Sequence, residues 1–233
     1  MTIRAKLYAA IVLTVLGPIA TTAVALHGMS ELGDRFDEVQ IRAEHEGVAR
    51  ELKFRVTDVN GWQTAYGYAG DDLATRDEMR RRYLRAENEL ADELEVASST
   101  LSGHREQALL ARLERTFERF KRLDGVAWRA LREGDAQRTR QIFLGPEIRY
   151  FEQMAAIAEE LAAYEDQRAA ATDAEFDDAR DDARRRLIAV ALGAGVVIIL
   201  LLFAANDIAR MALEGERSVR GRRRREPPGD ERP

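Results

Sequence analysis

The sequence predicts an all-α protein in which two transmembrane helices flank an extracytoplasmic antiparallel four-helix bundle. Three observations lead to this prediction. Two long stretches carry no charged residue, one near each end of the 233-residue chain. The segment between them places apolar residues at steps of three and four, which is typical of amphipathic helices. That segment also contains no alternating run rich in valine or isoleucine, which would indicate a strand.

The two uncharged stretches cover residues 7–26 and 187–205. At about 1.5 Å per helical residue, each is long enough to cross a hydrocarbon layer of about 30 Å. For the first stretch, an alternative is a cleaved signal peptide with Ala23-Val24-Ala25 as its cleavage site. The uncharged run is longer than the core of about 7–15 residues in such peptides, so we expect an uncleaved anchor.

Charge and composition predict the orientation and exclude several classes of protein. Arg4 and Lys6 precede the first stretch and eight arginines follow the second, whereas the middle of the chain is acidic. The positive-inside rule then places residues 1–6 and a disordered basic tail, 206–233, in the cytoplasm, with 27–186 outside the plasma membrane. The absence of cysteine excludes a disulfide framework and thiolate metal sites. A pI near 5.5 argues against a nucleic-acid partner.

Four breaks in the helical pattern divide the extracytoplasmic segment. They lie at Gly70-Asp71-Asp72, at Ser102-Gly103, at Glu133-Gly134-Asp135 and at Gly145-Pro146, where proline suits the first position of a new helix. Four amphipathic helices joined by short loops bury their apolar stripes most simply as an antiparallel bundle.

Polar residues interrupt the apolar stripes near one end of this predicted bundle. Gln63 and Asp124 occupy stripe positions at about the same height as the Gly145-Pro146 break, and a pocket between helices at this level is one interpretation. The alternative is that these residues fix the helix register, or bond to each other or to Arg149, and that the nearby aromatic residues belong to the core or to a dimer interface. The pocket hypothesis predicts a site for a small polar solute, an amino acid or organic acid, lined by Asn60, Trp62, Gln63, Tyr66, Asp124, Trp128 and Arg149.

The sequence predicts no enzyme, no cofactor and no metal site. Asp124 has no partner carboxylate or histidine nearby in the pattern, and the chain contains neither a phosphate-binding loop nor a Gly-x-Ser-x-Gly elbow. The three histidines, His27, His45 and His104, are too far apart along the predicted helices to form a ligand cluster.

A short motif in the first helix resembles a known family. The run Asn60-Gly-Trp-Gln-Thr-Ala-Tyr66 is similar to a signature of actinobacterial methyl-accepting chemotaxis receptors. Gly134-Asp135-Ala136 and Leu144-Gly145-Pro146-Glu147 also resemble the entry to the fourth helix of their sensor region. The resemblance covers residues 1 to about 205. It implies a homodimer that binds a solute outside the membrane and signals by a small displacement of the helix entering the second span, here 146–205.

The sequence departs from that family after the second uncharged stretch. A full receptor continues into a linker and a long cytoplasmic coiled coil, whereas residues 206–233 are rich in arginine and proline. We therefore expect the output to pass through a membrane partner or a mixed dimer with a full-length receptor. The alternative is a structural or interaction protein, or a truncated receptor remnant, that assembles with other membrane helices without binding a ligand.

Overall fold

The computed structural model describes residues 3–69 and 72–223, and this part of the chain is helical without any strand. The helices are α1 (Ile3–Gly67), α2 (Leu73–Thr100), α3 (His104–Arg132), α4 (Ala136–Ile142) and α5 (Ile148–Arg223). A π-helical segment, Phe143–Glu147, joins α4 to α5. The prediction of an all-α protein is confirmed.

The chain divides into two compact units. The central unit comprises Arg35–Phe176, and the terminal unit comprises the described residues up to Asp34 together with those from Asp177 onward. Each unit contains parts of α1 and α5, which are the two longest helices.

One hydrophobic core lies within the central unit, and all four long helices contribute to it. Where each helix borders this core, every third or fourth residue is buried, as the apolar stripes of the sequence predict. The stripe of α2 contains five residues of the helix and Leu101 directly after it, and all six, beginning with Tyr83, are buried. The core also contains Ala49, Leu52, Val56, Val59 and Tyr66 of α1, Leu109, Leu110, Leu113, Phe117 and Phe120 of α3, and Met154, Ile157, Ala158, Leu161 and Ala162 of α5.

Polar caps and glycines set the helix ends near the predicted breaks. The Asp72 side chain accepts a hydrogen bond from the Ala74 backbone N–H at 3.1 Å and so begins α2. Asp135 begins α4 in the same way. The preceding residue, Gly134, has a φ of 77°, which residues other than glycine rarely adopt. Gly70 and Asp71, which belong to the first predicted break, lie outside the described residues.

The Gly145-Pro146 interruption is present as a π-helical turn. The Ile148 backbone N–H donates to the Phe143 carbonyl five residues earlier, and Gly145 leaves the helical region with φ −111° and ψ −105°. Proline provides no backbone N–H donor, so the regular hydrogen-bond ladder is interrupted here.

The terminal unit contains the apolar stretches. Among the described residues, one helical stretch, Ala136–Phe203, includes a window long and apolar enough to cross a membrane, and none of that window is buried. The side chains of Leu192, Leu202 and Phe203 are 67%, 65% and 70% exposed. Residues 7–26 are helical within α1, although several of their side chains lie outside the described set.

The predicted tail differs from the structure. We expected disorder from residue 206, but α5 continues to Arg223. The physical reason is that 207–223 is rich in alanine, leucine, methionine, glutamate and arginine, which all favour helices. Residues 224–233, with the last two arginines of the Arg220–Arg225 run, lie outside the described residues.

Candidate functional site

A buried ion pair lies among α1, α2 and α3 in the central unit. Asp124 of α3 is 1% exposed. One of its carboxylate oxygens accepts a hydrogen bond from the Tyr66 hydroxyl of α1, and the other accepts one from Arg80 Nη1 of α2 at 2.5 Å. Both oxygens of a buried aspartate are therefore paired, which offsets much of the cost of burying the charge.

Aromatic rings surround the guanidinium group of Arg80. Its Cζ atom lies 5.0 Å from the ring centroid of Tyr66, 4.5 Å from that of Tyr83 and 5.1 Å from that of Trp128. Tyr66 also meets the rings of Tyr83, Trp128 and Phe143 edge-on, with centroids 5.4–5.9 Å apart. A cation on several ring faces is stabilised by their electrostatic field, so this arrangement favours a positive charge at this position.

A second polar pair adjoins the first at the π-helical segment. The Gln63 amide Nε2 of α1 donates to Oε1 of Glu147, which is 1% exposed. The other oxygen of Glu147, Oε2, is buried without a hydrogen bond. Burial, assisted by the negative charge of Asp124, raises the pKa of Glu147 to about 9. Glu147 is therefore protonated and neutral at pH 7.

These groups, Gln63, Tyr66, Arg80, Asp124 and Glu147, form what we call the Asp124 cluster. Burial and the charge of Asp124 also raise the pKa of Tyr66 well above its usual value, so its hydroxyl stays a neutral donor. With Glu147 neutral, the cluster contains one cation and one anion. Such a site suits the recognition of a molecule with both charges.

The structure brings together four of the seven residues predicted to bind a ligand. Gln63, Tyr66, Asp124 and Trp128 lie in or against the Asp124 cluster. Gln63 and Asp124 do not bond to each other. Gln63 donates to Glu147, and Asp124 accepts from Tyr66 and Arg80.

The other three predicted residues lie elsewhere. Asn60 is half-buried on α1. Trp62 lies beneath the guanidinium of Arg82, with Cζ 5.0 Å from its ring, and lines an open surface cavity of about 320 Å³. Arg149 is exposed, and its Nε donates to the Gly145 carbonyl at 3.3 Å. The cation that meets Asp124 is Arg80, which replaces Arg149 in that role.

Glu147 and Tyr83 were missed by the sequence reasoning, although the stripe pattern contains them. Tyr83 begins the stripe of α2, and Arg80 lies three residues before it. Glu147 lies four residues before Phe151 and seven before Met154, on the face of the chain that becomes buried. A polar residue at a stripe position next to proline was therefore the available signal.

No protein-family model matches the chain, and neither a curated protein nor a solved structure shows significant similarity to it.

Proposed function

We propose that the chain is a two-pass sensor module of the plasma membrane that binds a small polar solute outside the cell. In this proposal residues 7–26 and 187–205 cross the membrane and 27–186 form an antiparallel four-helix bundle, with both termini in the cytoplasm. The exposed apolar surface of 187–203 and the single core shared by four helices support it.

The spacing of buried polar residues supports the antiparallel arrangement. Eighteen residues, or five helical turns, separate His45 from Gln63 on α1, Glu106 from Asp124 on α3, and Glu147 from Glu165 on α5. Gln63 meets Glu147, whereas His45 lies near Glu165. The residue that comes first on α1, His45, therefore contacts the residue that comes second on the other segment, Glu165, as expected for antiparallel helices.

The observation that carries the proposal is the buried Arg80–Asp124 pair beside the interrupted start of α5. An amino acid has a carboxylate that matches Arg80 and an ammonium group that matches Asp124 and the surrounding rings. The carboxyl oxygen Oε2 of the neutral Glu147, which carries the proton and has no hydrogen-bond partner, can donate a third polar contact in the same cluster. We therefore propose an amino acid, or an organic acid with a second polar group, as the solute.

We propose that the segment 146–205 transmits the signal. Glu147 is buried in the cluster and α5 begins at the next residue. A solute that competes for Asp124 or Arg80 changes the contacts around Glu147, and it shifts α5 only by favouring one packing of the helices over another. The proposed output partner is a second copy of this chain or a full-length receptor in a mixed dimer.

Binding is testable by the fluorescence of the full chain in lipid nanodiscs. The chain has two tryptophans, Trp62 and Trp128, and both lie in the central unit near the predicted site. Thermal unfolding is followed by tryptophan emission with each of the common amino acids and small dicarboxylic acids. We expect one class of solute to raise the midpoint in proportion to the logarithm of its concentration.

Matched variants locate the site. Asp124→Asn removes the charge but keeps the shape, and we expect it to abolish the shift. Asp92→Asn makes the same change at an exposed position of α2 and should leave the shift intact. A shift that is equal in both variants would refute the proposed site, even if the chain binds a solute.

One observation favours the alternative of an interaction protein without a ligand. Arg80, Asp124 and Tyr66 already satisfy one another's charges and hydrogen bonds, so the cluster is stable as a structural element. If no solute raises the unfolding midpoint at millimolar concentration, this alternative replaces the sensor proposal.

The proposed topology has its own test, because the chain contains no cysteine. Ser102→Cys places a thiol at an exposed position between α2 and α3, and Ser218→Cys places one beyond the second apolar stretch. A membrane-impermeant maleimide added to intact cells should label the first variant only. Labelling of the second variant alone would reverse the orientation.

A further inference from the structure

Three ionisable side chains from three helices meet in a second buried cluster of the central unit. They are His45 of α1, Glu106 of α3 and Glu165 of α5, which we call the His45 cluster. One ligand atom from each lies within 4.8 Å of the other two, and His45 Nδ1 is 3.7 Å from a Glu165 carboxylate oxygen. The side chains of the two glutamates are at most 1% exposed, and that of His45 is 12% exposed.

Most of the polar atoms of the cluster lack hydrogen bonds. His45 Nδ1, Glu106 Oε2 and both carboxylate oxygens of Glu165 are buried without a hydrogen bond. Buried polar atoms are normally paired, and each one left unpaired costs on the order of 1–3 kcal/mol. These atoms belong to the same three side chains that approach one another within 4.8 Å, and a cationic group between these side chains would pair them.

Nearby arginines supply only part of the positive charge. Arg168 Nη1 donates to Glu106 Oε1 and lies 3.7 Å from Glu165 Oε1, yet its side chain is 31% exposed. It leaves both oxygens of Glu165 without a hydrogen bond. Arg168 at the edge of the cluster therefore faces two buried carboxylates, and Arg42 acts on Glu165 without forming an ion pair with it.

Glu106 and Glu165 bring two buried carboxyl groups close together, and His45 adds an imidazole nitrogen to them. Carboxylates that are buried side by side repel each other, and a bound dication would remove this repulsion.

We propose that His45 Nδ1, Glu106 and Glu165 bind a divalent transition-metal ion of the zinc class. Imidazole nitrogen and carboxylate oxygen are common zinc ligands, with bonds of about 2.0–2.2 Å. A tetrahedral site places such ligands about 3.4 Å apart. The 3.7 Å separation of His45 and Glu165 is already close to this, and since all the ligand atoms lie within 4.8 Å of one another, the widest separation has to contract by at most about 1.4 Å. A water molecule completes the coordination.

The site was missed because the sequence reasoning compared histidines only with one another. His27 and His104 do not belong to it. The available signal was again the stripe pattern: His45 lies four residues before Ala49, Glu106 four before Leu110, and Glu165 four after Leu161.

The test uses the full chain in detergent, purified without a polyhistidine tag, stripped with EDTA and titrated with ZnSO₄ in a calorimeter. We expect one zinc ion per chain at micromolar affinity or tighter. Cobalt(II) added to the stripped protein should give the visible absorption of a tetrahedral nitrogen–oxygen site. His45→Ala and the isosteric Glu165→Gln should each weaken zinc binding at least tenfold.

Two control variants separate this site from weak surface binding. His104→Ala removes an exposed histidine close to Glu106, and Glu160→Gln removes an exposed carboxylate on α5. Both should bind zinc as the unaltered chain does, and circular dichroism checks that all variants keep their helix content. Failure of the unaltered chain to bind stoichiometric zinc, or binding that survives Glu165→Gln in a folded protein, would overturn the proposal.

Discussion

Replacement of Glu147 by glutamine should change how the stability of the protein depends on pH. The folded protein raises the pKa of this carboxyl group from 4.5 to about 9, chiefly because the side chain is buried. Between these two values the folded chain holds a proton that the unfolded chain has released. The stabilising contribution is therefore complete below pH 4.5 and is lost as the pH rises to about 9.

The size of this effect follows from the linkage relation. When folding takes up one proton, the free energy of unfolding falls by about 1.4 kcal/mol for each pH unit. Between pH 6 and pH 8 the loss amounts to about 3 kcal/mol, which is large against a typical total of about 5–15 kcal/mol. Glu147→Gln preserves the acceptor for Gln63 and does not titrate, so this component of the pH dependence should disappear.

The assay is equilibrium unfolding by urea in nanodiscs, followed through Trp62 and Trp128 at several pH values. Both proteins share their other titrating groups, so the difference between the two curves isolates Glu147. We expect the difference to grow in favour of the variant as the pH rises. Glu152→Gln, at an exposed position of α5, is the control and should track the unaltered protein. Parallel curves for the unaltered protein and Glu147→Gln would show that Glu147 is charged in the fold, and the reasoning about its burial would be wrong.

Two further substitutions test the packing around the same cluster by unfolding measurements. Asp124→Ala should destabilise the chain by about 3–5 kcal/mol, because it leaves the buried charge of Arg80 without its partner; a loss below 1 kcal/mol would contradict the pairing. Gly67→Ala should cost about 1–3 kcal/mol, since its Cβ would lie 2.5 Å from the Phe143 ring. Gly61→Ala, where a Cβ meets nothing within 4 Å, should be neutral or slightly stabilising.

The periodicity of the sequence predicted which faces of the helices are buried. In α3, the predicted stripe runs from Leu110 to Leu131, and every position is buried, Asp124 included, except Leu131, which is half-buried. The interruption at Gly145-Pro146 was also predictable, because a residue without a backbone N–H follows one without a side chain. These features depend on local chain properties, so one sequence is sufficient to find them.

The partners of the buried polar residues were not predictable in the same way. A stripe shows that Asp124 faces the core, but the choice between Arg149 and Arg80 depends on how neighbouring helices are rotated and staggered. That stagger is set by the packing of large side chains such as Tyr66 and Phe143, whose contacts are long-range in sequence. The same limitation concealed the approach of His45 to two glutamates.

The equal spacing of the two polar clusters restricts how the helices of the central unit can move. The helices α1 and α3 and the chain from Glu147 into α5 each contribute to both the Asp124 cluster and the His45 cluster. Five helical turns, about 27 Å, separate the two clusters along each helix. If α5 slid by one turn, about 5.4 Å, Glu147 and Glu165 would leave their partners together, and two buried carboxyl groups would face apolar side chains. Such a slide is costly at both levels at once. If α5 transmits the proposed signal, its displacement is therefore expected to be about 1–2 Å, within which both sets of contacts survive with altered lengths.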